Sequence, residues 1–176
     1  MTPGKAFLTS QEIRALSARS DLWGLWMVAH CWGLILCAVA LFHLWPNALT
    51  FLLAVMVIGS RQLGLAILMH EAAHNALFRS RWLNETLGEW LCGRPIIADL
   101  PEYRRYHLTH HRHTQTDRDP DLRLSKPFPT TRASLRRKLW RDITGQTGFK
   151  LRAAQIIFAF KMAGEVEGQP SSQDLA

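Results

Sequence analysis

The sequence lacks charged residues over one long stretch. From position 22 to position 60, 39 consecutive residues include no Asp, Glu, Lys or Arg, so the 21 basic and 14 acidic residues of this 176-residue chain all lie outside it. A simple soluble domain, a disordered chain and a collagen-like repeat do not have this distribution. It is typical of a membrane protein with a water-facing portion.

Cysteine is scarce as well. Of the three cysteines, Cys31 and Cys37 lie inside the uncharged stretch, and Cys92 stands alone. Three cysteines so placed exclude a disulfide framework. They fit a reducing compartment, or thiols that are buried as small apolar groups.

Acidic residues are few in the second part of the chain. Between Arg61 and Lys161 there are 18 basic and 9 acidic residues. Such an excess fits anionic lipid, an acidic protein or nucleic acid. No pattern of a nucleic-acid-binding module is present, so we expect no nucleic-acid partner and interpret the excess as facing lipid headgroups.

The uncharged stretch predicts two membrane spans. The first covers about 22–45, with Trp23 and Trp26 at one end and Trp45 at the other, as is typical of both membrane interfaces. Pro46 and the following Asn predict a short turn. The second covers about 48–69, and the helical pattern continues to about 78. A cleaved signal peptide is the alternative for the first span, but the apolar residues continue past the possible cleavage site.

The positions of the basic residues predict the orientation of this hairpin. The N-terminal arm, residues 1–21, carries Lys and Arg, the turn between the spans carries no charge, and the chain after Arg61 is rich in arginine. Both ends are therefore expected to face the cytoplasm, in a bacterial inner membrane. The fold class predicted is all-α, an integral membrane helical hairpin with a cytoplasmic helical extension. Residues 22–164 form the predicted membrane domain, and residues 165–176 a disordered tail.

Two segments of the extension are apolar but do not have the length of a span. Residues 82–100 are too short and too charged, and Trp82 and Trp90 predict an interfacial or re-entrant location. Residues 151–163 are interrupted by Lys161, and they predict either a short amphipathic helix or the start of another span.

Six of the eight histidines form two clusters, at 70 and 74 and at 107, 110, 111 and 113. Residues four apart on a helix share a face, so His70 and His74 can bind one metal ion together. His107 shares a face with both His110 and His111. Because arginines surround the second cluster, neutral metal-bound imidazoles are favoured there over cationic ones. The alternative is that the second cluster is only a solvated face.

Residues 70–74 also match the sequence H-E-x-x-H, which in metalloproteases supplies two zinc ligands and a glutamate base. A membrane zinc protease is therefore one alternative, although it leaves the 107–113 cluster without a role. A non-enzymatic membrane protein that binds metal is another.

Three segments together resemble the membrane fatty acid desaturases over roughly residues 50–150. His-Glu-Ala-Ala-His-Asn-Ala-Leu-Phe at 70–78 resembles the first histidine box of that family. The segment from Tyr103 through the second cluster to Leu122 resembles the second box with its acidic continuation, and residues 141–148 are similar to stretches downstream of that box in bacterial members.

The resemblance implies a cytoplasmic non-haem di-iron centre that uses O2 and two electrons to remove two hydrogens from an acyl chain. Relatives hydroxylate or ketolate lipids and carotenoids, so a hydroxylase is the alternative within the family. The resemblance implies a membrane lipid or acyl substrate and an electron donor of the ferredoxin or cytochrome b5 type. The implied iron ligands are His70, His74, His107, His110 and His111. The implied residues around them are Glu71, His113, Asp119 and Asp121, of which the carboxylates would orient imidazoles.

One part of the family pattern is absent. No histidine follows His113, so the third box, His-x-x-His-His, has no counterpart. We therefore expect the chain to be a C-terminally truncated member, and its activity by itself to be incomplete.

Overall fold

A computed structural model describes residues 8–167 of the chain, and all regular secondary structure in that range is helical. The α-helices are α1 (Ser10–Leu16), α2 (Asp21–Leu44), α3 (Ala48–Ala73), α4 (Arg81–Leu87), α5 (Leu100–His113), α6 (Leu122–Ser125), α7 (Arg132–Ile143) and α8 (Gln146–Glu167). A π-helical segment, Gly88–Gly93, and a 3-10 turn, Arg94–Ile96, follow α4. The predicted all-α class is confirmed.

Helices α2 and α3 pack side by side, and both are long and apolar enough to cross a membrane. Only 17% of the residues in the most apolar part of each helix are buried in the structure. A core helix of a soluble protein would be mostly buried, whereas side chains such as Leu36 and Met56 are exposed at 62% and 70%. The turn between the helices is closed by Asn47, whose side-chain oxygen accepts the N–H groups of Leu49 and Thr50.

Helix α3 ends earlier than the sequence pattern predicts. Its last residue is Ala73, not a residue near 78. Asn75 has a φ of 53°, in the left-handed region that asparagine tolerates, and the N–H of Ala76 turns back to the carbonyl of Glu71. His74 therefore lies at the end of α3.

The segment after this loop packs against the two long helices. The indole N–H of Trp32 on α2 donates to the carbonyl of Leu91 at 2.9 Å. A Cβ added to Gly88 would lie 2.5 Å from Cβ of Ala72, so glycine permits the close approach of the π-helical segment to α3. The interfacial or re-entrant location of residues 82–100 stays a prediction.

A buried core joins these elements at the end of the hairpin that carries His70 and His74. Its largest fully buried residues are Phe78, Leu65, Leu100, Asn84 and Cys92. The core thus surrounds the last turn of α3 and the start of α5, and fixes the backbone from which the histidines project.

The chain divides after Thr109 into two compact units. In the second, α8 covers the apolar residues 151–163 and continues through Glu167, three residues into the predicted tail. The apolar sequence before position 165 gives this helix its length. Residues 168–176 of that tail and residues 1–7 of the predicted N-terminal arm lie outside the described residues.

Candidate metal centre

The last turn of α3 supplies the first two imidazoles. His70 and His74 are four residues apart and therefore project from the same face of the helix. Their ring centroids are 4.8 Å apart. The predicted pair is thus formed, at the end of the helix and beside the buried core.

Helix α5 adds a third imidazole to this pair. The ring centroid of His107 lies 4.6 Å from that of His70 and 5.0 Å from that of His74. The Nε2 atoms of His74 and His107 are 3.0 Å apart. Two histidine segments that are 33 residues apart in the sequence therefore meet at one point.

His111 follows His107 by one turn on the same helix. The candidate ligand atoms of His70, His74 and His107 all lie within 4.8 Å of one another, and His111 as a ligand stays a prediction. Three imidazoles without a carboxylate form a donor set that suits iron, zinc, copper or nickel rather than magnesium or calcium. The residues present therefore fit a transition metal.

Neighbouring side chains hold two of these rings in place. Oε1 of Glu71 lies 3.0 Å from Nδ1 of His70, which leaves Nε2 of that ring for a metal. The ring of Tyr103 stacks on that of His107, with centroids 5.2 Å apart and an angle of 8° between the planes. Because one oxygen of Glu71 contacts His70, this geometry favours an orienting role over that of the free glutamate base that a zinc protease needs.

His110 contacts two carboxylates that follow it in the sequence. Its Nδ1 lies 2.7 Å from Oδ1 of Asp119 and 3.7 Å from Oδ2 of Asp121. The hydrogen bond to Asp119 is the main cause that raises the pKa of His110, and the same bond lowers the pKa of Asp119. His110 as an iron ligand stays a prediction.

The other predicted residues are placed as follows. Asp119 lies within hydrogen-bond distance of His110 and Asp121 lies farther away, and their role in orienting a metal-bound imidazole stays a prediction. The carbonyl of His113 accepts the N–H and the hydroxyl of Thr116, so its backbone shapes the turn after α5. His30 lies on α2 beside Trp26, with ring centroids 5.9 Å apart.

The sequence did not indicate two further residues at this centre, Arg104 and Tyr103. Arg104 binds the carbonyls at the end of α3, and Tyr103 packs on His107. Their spacing from His107, three and four residues, was a signal for a shared face. Arg105, two residues from His107, does not have this spacing, but the sequence did not show that Arg104 contacts the end of α3.

A comparison with known protein families gave a match. A sequence model of the family described as fatty acid desaturase matches residues 44–173, and this range includes both histidine clusters. The curated proteins and the solved structures give no significant match.

Proposed function

This chain belongs to the fatty acid desaturase family, and from that premise we propose that its histidine cluster binds iron and takes part in the O2-dependent desaturation of a membrane acyl lipid. The cluster would face the cytoplasm, where an electron donor of the ferredoxin or cytochrome b5 type would reach it. Hydroxylation of a lipid at the same centre is the alternative within the family.

The observation that carries this proposal is the contact between His74 and His107. Their Nε2 atoms face each other at 3.0 Å, and His70 lies against both rings. This spacing fits a hydrogen bond between two neutral imidazoles, and the same two nitrogens can bind one cation when both rings present a lone pair. Three imidazoles from two helices converge here, as metal binding requires and a solvated face does not. The arrangement thus favours metal binding over a solvated face.

Iron bound by these imidazoles would supply the redox chemistry that removes two hydrogens from an acyl chain with O2 and two electrons. The chain's own residues hold and orient the rings, through Glu71 at His70 and through the aromatic ring of Tyr103 at His107. Met69, Ala72 and Ala73, all at most 4% exposed, belong to the buried core that fixes the backbone of α3 on either side of His70 and His74.

Metal analysis of the purified full chain tests the binding part of the proposal. After anaerobic reconstitution with Fe(II), we expect iron to be retained in preference to zinc, at no more than one metal per chain. The variants His74→Ala and His107→Ala should lose it, whereas His30→Ala should retain it. Two irons per chain would contradict the expectation that the two-metal centre is incomplete in these 176 residues. Zinc that resists replacement by iron would contradict iron binding and would favour a zinc protease or a zinc-binding role.

Product analysis tests the reaction. The five box histidines are too few for a complete two-metal centre, so the 176 residues alone should give no new unsaturated lipid. A chimera with the C-terminal half of a family member that carries a third box should give it, as measured by gas chromatography of cellular fatty acids. His107→Ala should abolish this product and His30→Ala should not. Hydroxylated product from the chimera would instead support the alternative.

A further inference from the structure

We infer that Arg104 is a positioning residue, which locks α5 against the end of α3 and thereby sets His107 opposite His74. This inference rests on the proposed function, in which those imidazoles bind a metal. It concerns a side chain that would not touch the metal itself, because all three of its nitrogens are engaged elsewhere.

The Arg104 side chain bridges three elements. Its Nε donates to the carbonyl of Ala73 at 2.9 Å, and Nη2 donates to the carbonyl of Ala72 at 3.2 Å. Its Nη1 lies 2.9 Å from each carboxylate oxygen of Glu85 on α4. The side chain is only 19% exposed, so these contacts are made largely away from water.

Arg104 binds two carbonyls at the end of α3, where a helix leaves its last acceptors without an intrahelical donor. The carbonyl of Ala72 also accepts the N–H of Asn75 at 2.9 Å, so the bond to Ala73 is the one that depends on Arg104. Ala73 is 1% exposed, so its carbonyl would be costly to leave unsatisfied. A cation at the C-terminal end of a helix is also favoured by the helix dipole.

Glu85 is itself held in place by its neighbour in the sequence. Asn84 is fully buried, its amide nitrogen donates to the carbonyls of Phe78 and Ser80, and its oxygen accepts the N–H of Phe78. The carboxylate that receives Arg104 is therefore attached to the loop that follows α3. The ion pair closes a ring of contacts through α3, α4 and α5.

The register of this contact places His107. Arg104 and His107 are three residues apart on one face of α5, and their partners Ala73 and His74 are consecutive on α3. The fully buried Leu100 extends the same face toward the core. When Arg104 is bound to the end of α3, the next turn of α5 brings His107 to His74.

Lysine at position 104 tests this role because it keeps the charge but offers one nitrogen in place of three. In a Co(II) titration of the full chain in detergent, followed by visible absorption, Arg104→Lys should weaken binding about tenfold. Arg105→Lys is the matched control, because Arg105 is 78% exposed and its ion pair with Glu102 is long, at 3.9 Å. The affinity of this variant for Co(II) should equal that of the wild type. Equal affinities of wild type and Arg104→Lys would overturn the inference.

Two further variants separate the carbonyl contacts from a simple ion pair. The exchange Glu85→Arg with Arg104→Glu restores opposite charges but places a carboxylate against two carbonyls, so Co(II) binding should stay weak. Recovery of wild-type affinity would show that only the ion pair matters and would overturn the inference. If Arg104→Lys loses its helical circular dichroism, the variant Glu85→Gln takes its place in the test. Weaker Co(II) binding by folded Glu85→Gln would support the inference, and unchanged Co(II) binding would overturn it.

A measurement without metal distinguishes this inference from the proposed function. With the native cysteines replaced by alanine, His74→Cys and His107→Cys can be cross-linked by dibromobimane, which becomes fluorescent when both thiols react. The yield should be high with arginine at position 104 and low with lysine, and equal yields would overturn the inference. If the cross-linking yields differ in this way but the wild-type chain does not bind Co(II), the inference about Arg104 stands and only the proposed metal centre is contradicted.

Discussion

Nδ1 of His110 lies 2.7 Å from Oδ1 of Asp119, and this carboxylate also organises the turn that follows α5. It accepts the N–H of Gln115 through Oδ2 and the N–H of Asp121 through Oδ1, each at 2.8 Å. Asp119 is only 6% exposed. One buried carboxylate therefore fixes both the orientation of a box histidine and the backbone after the box.

Asp119→Asn should loosen this turn, because an amide has one accepting oxygen where the carboxylate has two. We expect trypsin to cleave the folded protein at Arg118 at least severalfold faster than in the wild type, as followed by mass spectrometry. Asp117→Asn is the matched control, since Asp117 is exposed in the same turn and should leave the rate unchanged. Equal rates for both variants would show that the carboxylate does not hold the turn.

Gly88→Ala should destabilise the packing beneath the histidines. The added Cβ would lie 2.5 Å from Cβ of Ala72 and 3.2 Å from Cδ2 of Leu100, both in the core. Overpacking of this kind costs about 1–3 kcal/mol. Thermal unfolding followed by circular dichroism in detergent should show a lower midpoint.

Gly59→Ala is the control for that experiment, since a Cβ at position 59 meets nothing within 4 Å. Its position inside α3 predicts an unchanged or slightly higher midpoint, because alanine favours a helix over glycine by about 0.5–1 kcal/mol. A midpoint for Gly88→Ala that equals this control would argue against the close approach of the two segments.

Cys92 should resist alkylation in the folded protein. Its side chain is fully buried, and burial raises the pKa of its thiol from an ordinary 9.0 to about 12. In a variant with Cys31 and Cys37 replaced by alanine, iodoacetamide at pH 8 should react far more slowly with the native than with the denatured protein, since the thiolate fraction is about a thousandfold lower. Comparable rates would show that the thiol is accessible and ionises normally.

The same shift in pKa predicts how Cys92 affects stability at high pH. The contribution of the buried, protonated thiol to the free energy of unfolding is fully present below pH 9.0, the ordinary pKa of the group. It is lost as the pH rises toward about 12, because the unfolded chain releases a proton that the native protein retains. Denaturant unfolding at several pH values measures this effect. As the pH rises, the free energy of unfolding should fall less in Cys92→Ala than in the variant that keeps this cysteine.

Reporter fusions test the predicted orientation of the hairpin. The uncharged turn and the arginine-rich chain that follows Arg61 predict opposite compartments for Asn47 and position 120. Alkaline phosphatase should be active at the first position and a cytoplasmic reporter at the second. The same compartment for both would contradict the predicted hairpin, in which α3 crosses the membrane between the two positions.

The local features of this protein were predictable from its sequence. The absence of charge over residues 22–60 predicted α2 and the first part of α3. This was possible because the length and composition of an apolar segment do not depend on which other segments pack against it. The spacing of His70 and His74 predicted that they share a face, because helix geometry fixes which residues are adjacent. The end of α3 at Ala73 was missed, since it depends on a left-handed Asn75 that the helical pattern did not reveal.

The rotation of α5 about its axis was decided only by the tertiary structure. The sequence predicted that His110 and His111 both share a face with His107. The structure places His107 against the α3 pair, while His110 contacts Asp119. The physical reason lies in long-range contacts, namely the burial of Leu100 and the binding of Arg104 to the end of α3, which no spacing within α5 encodes.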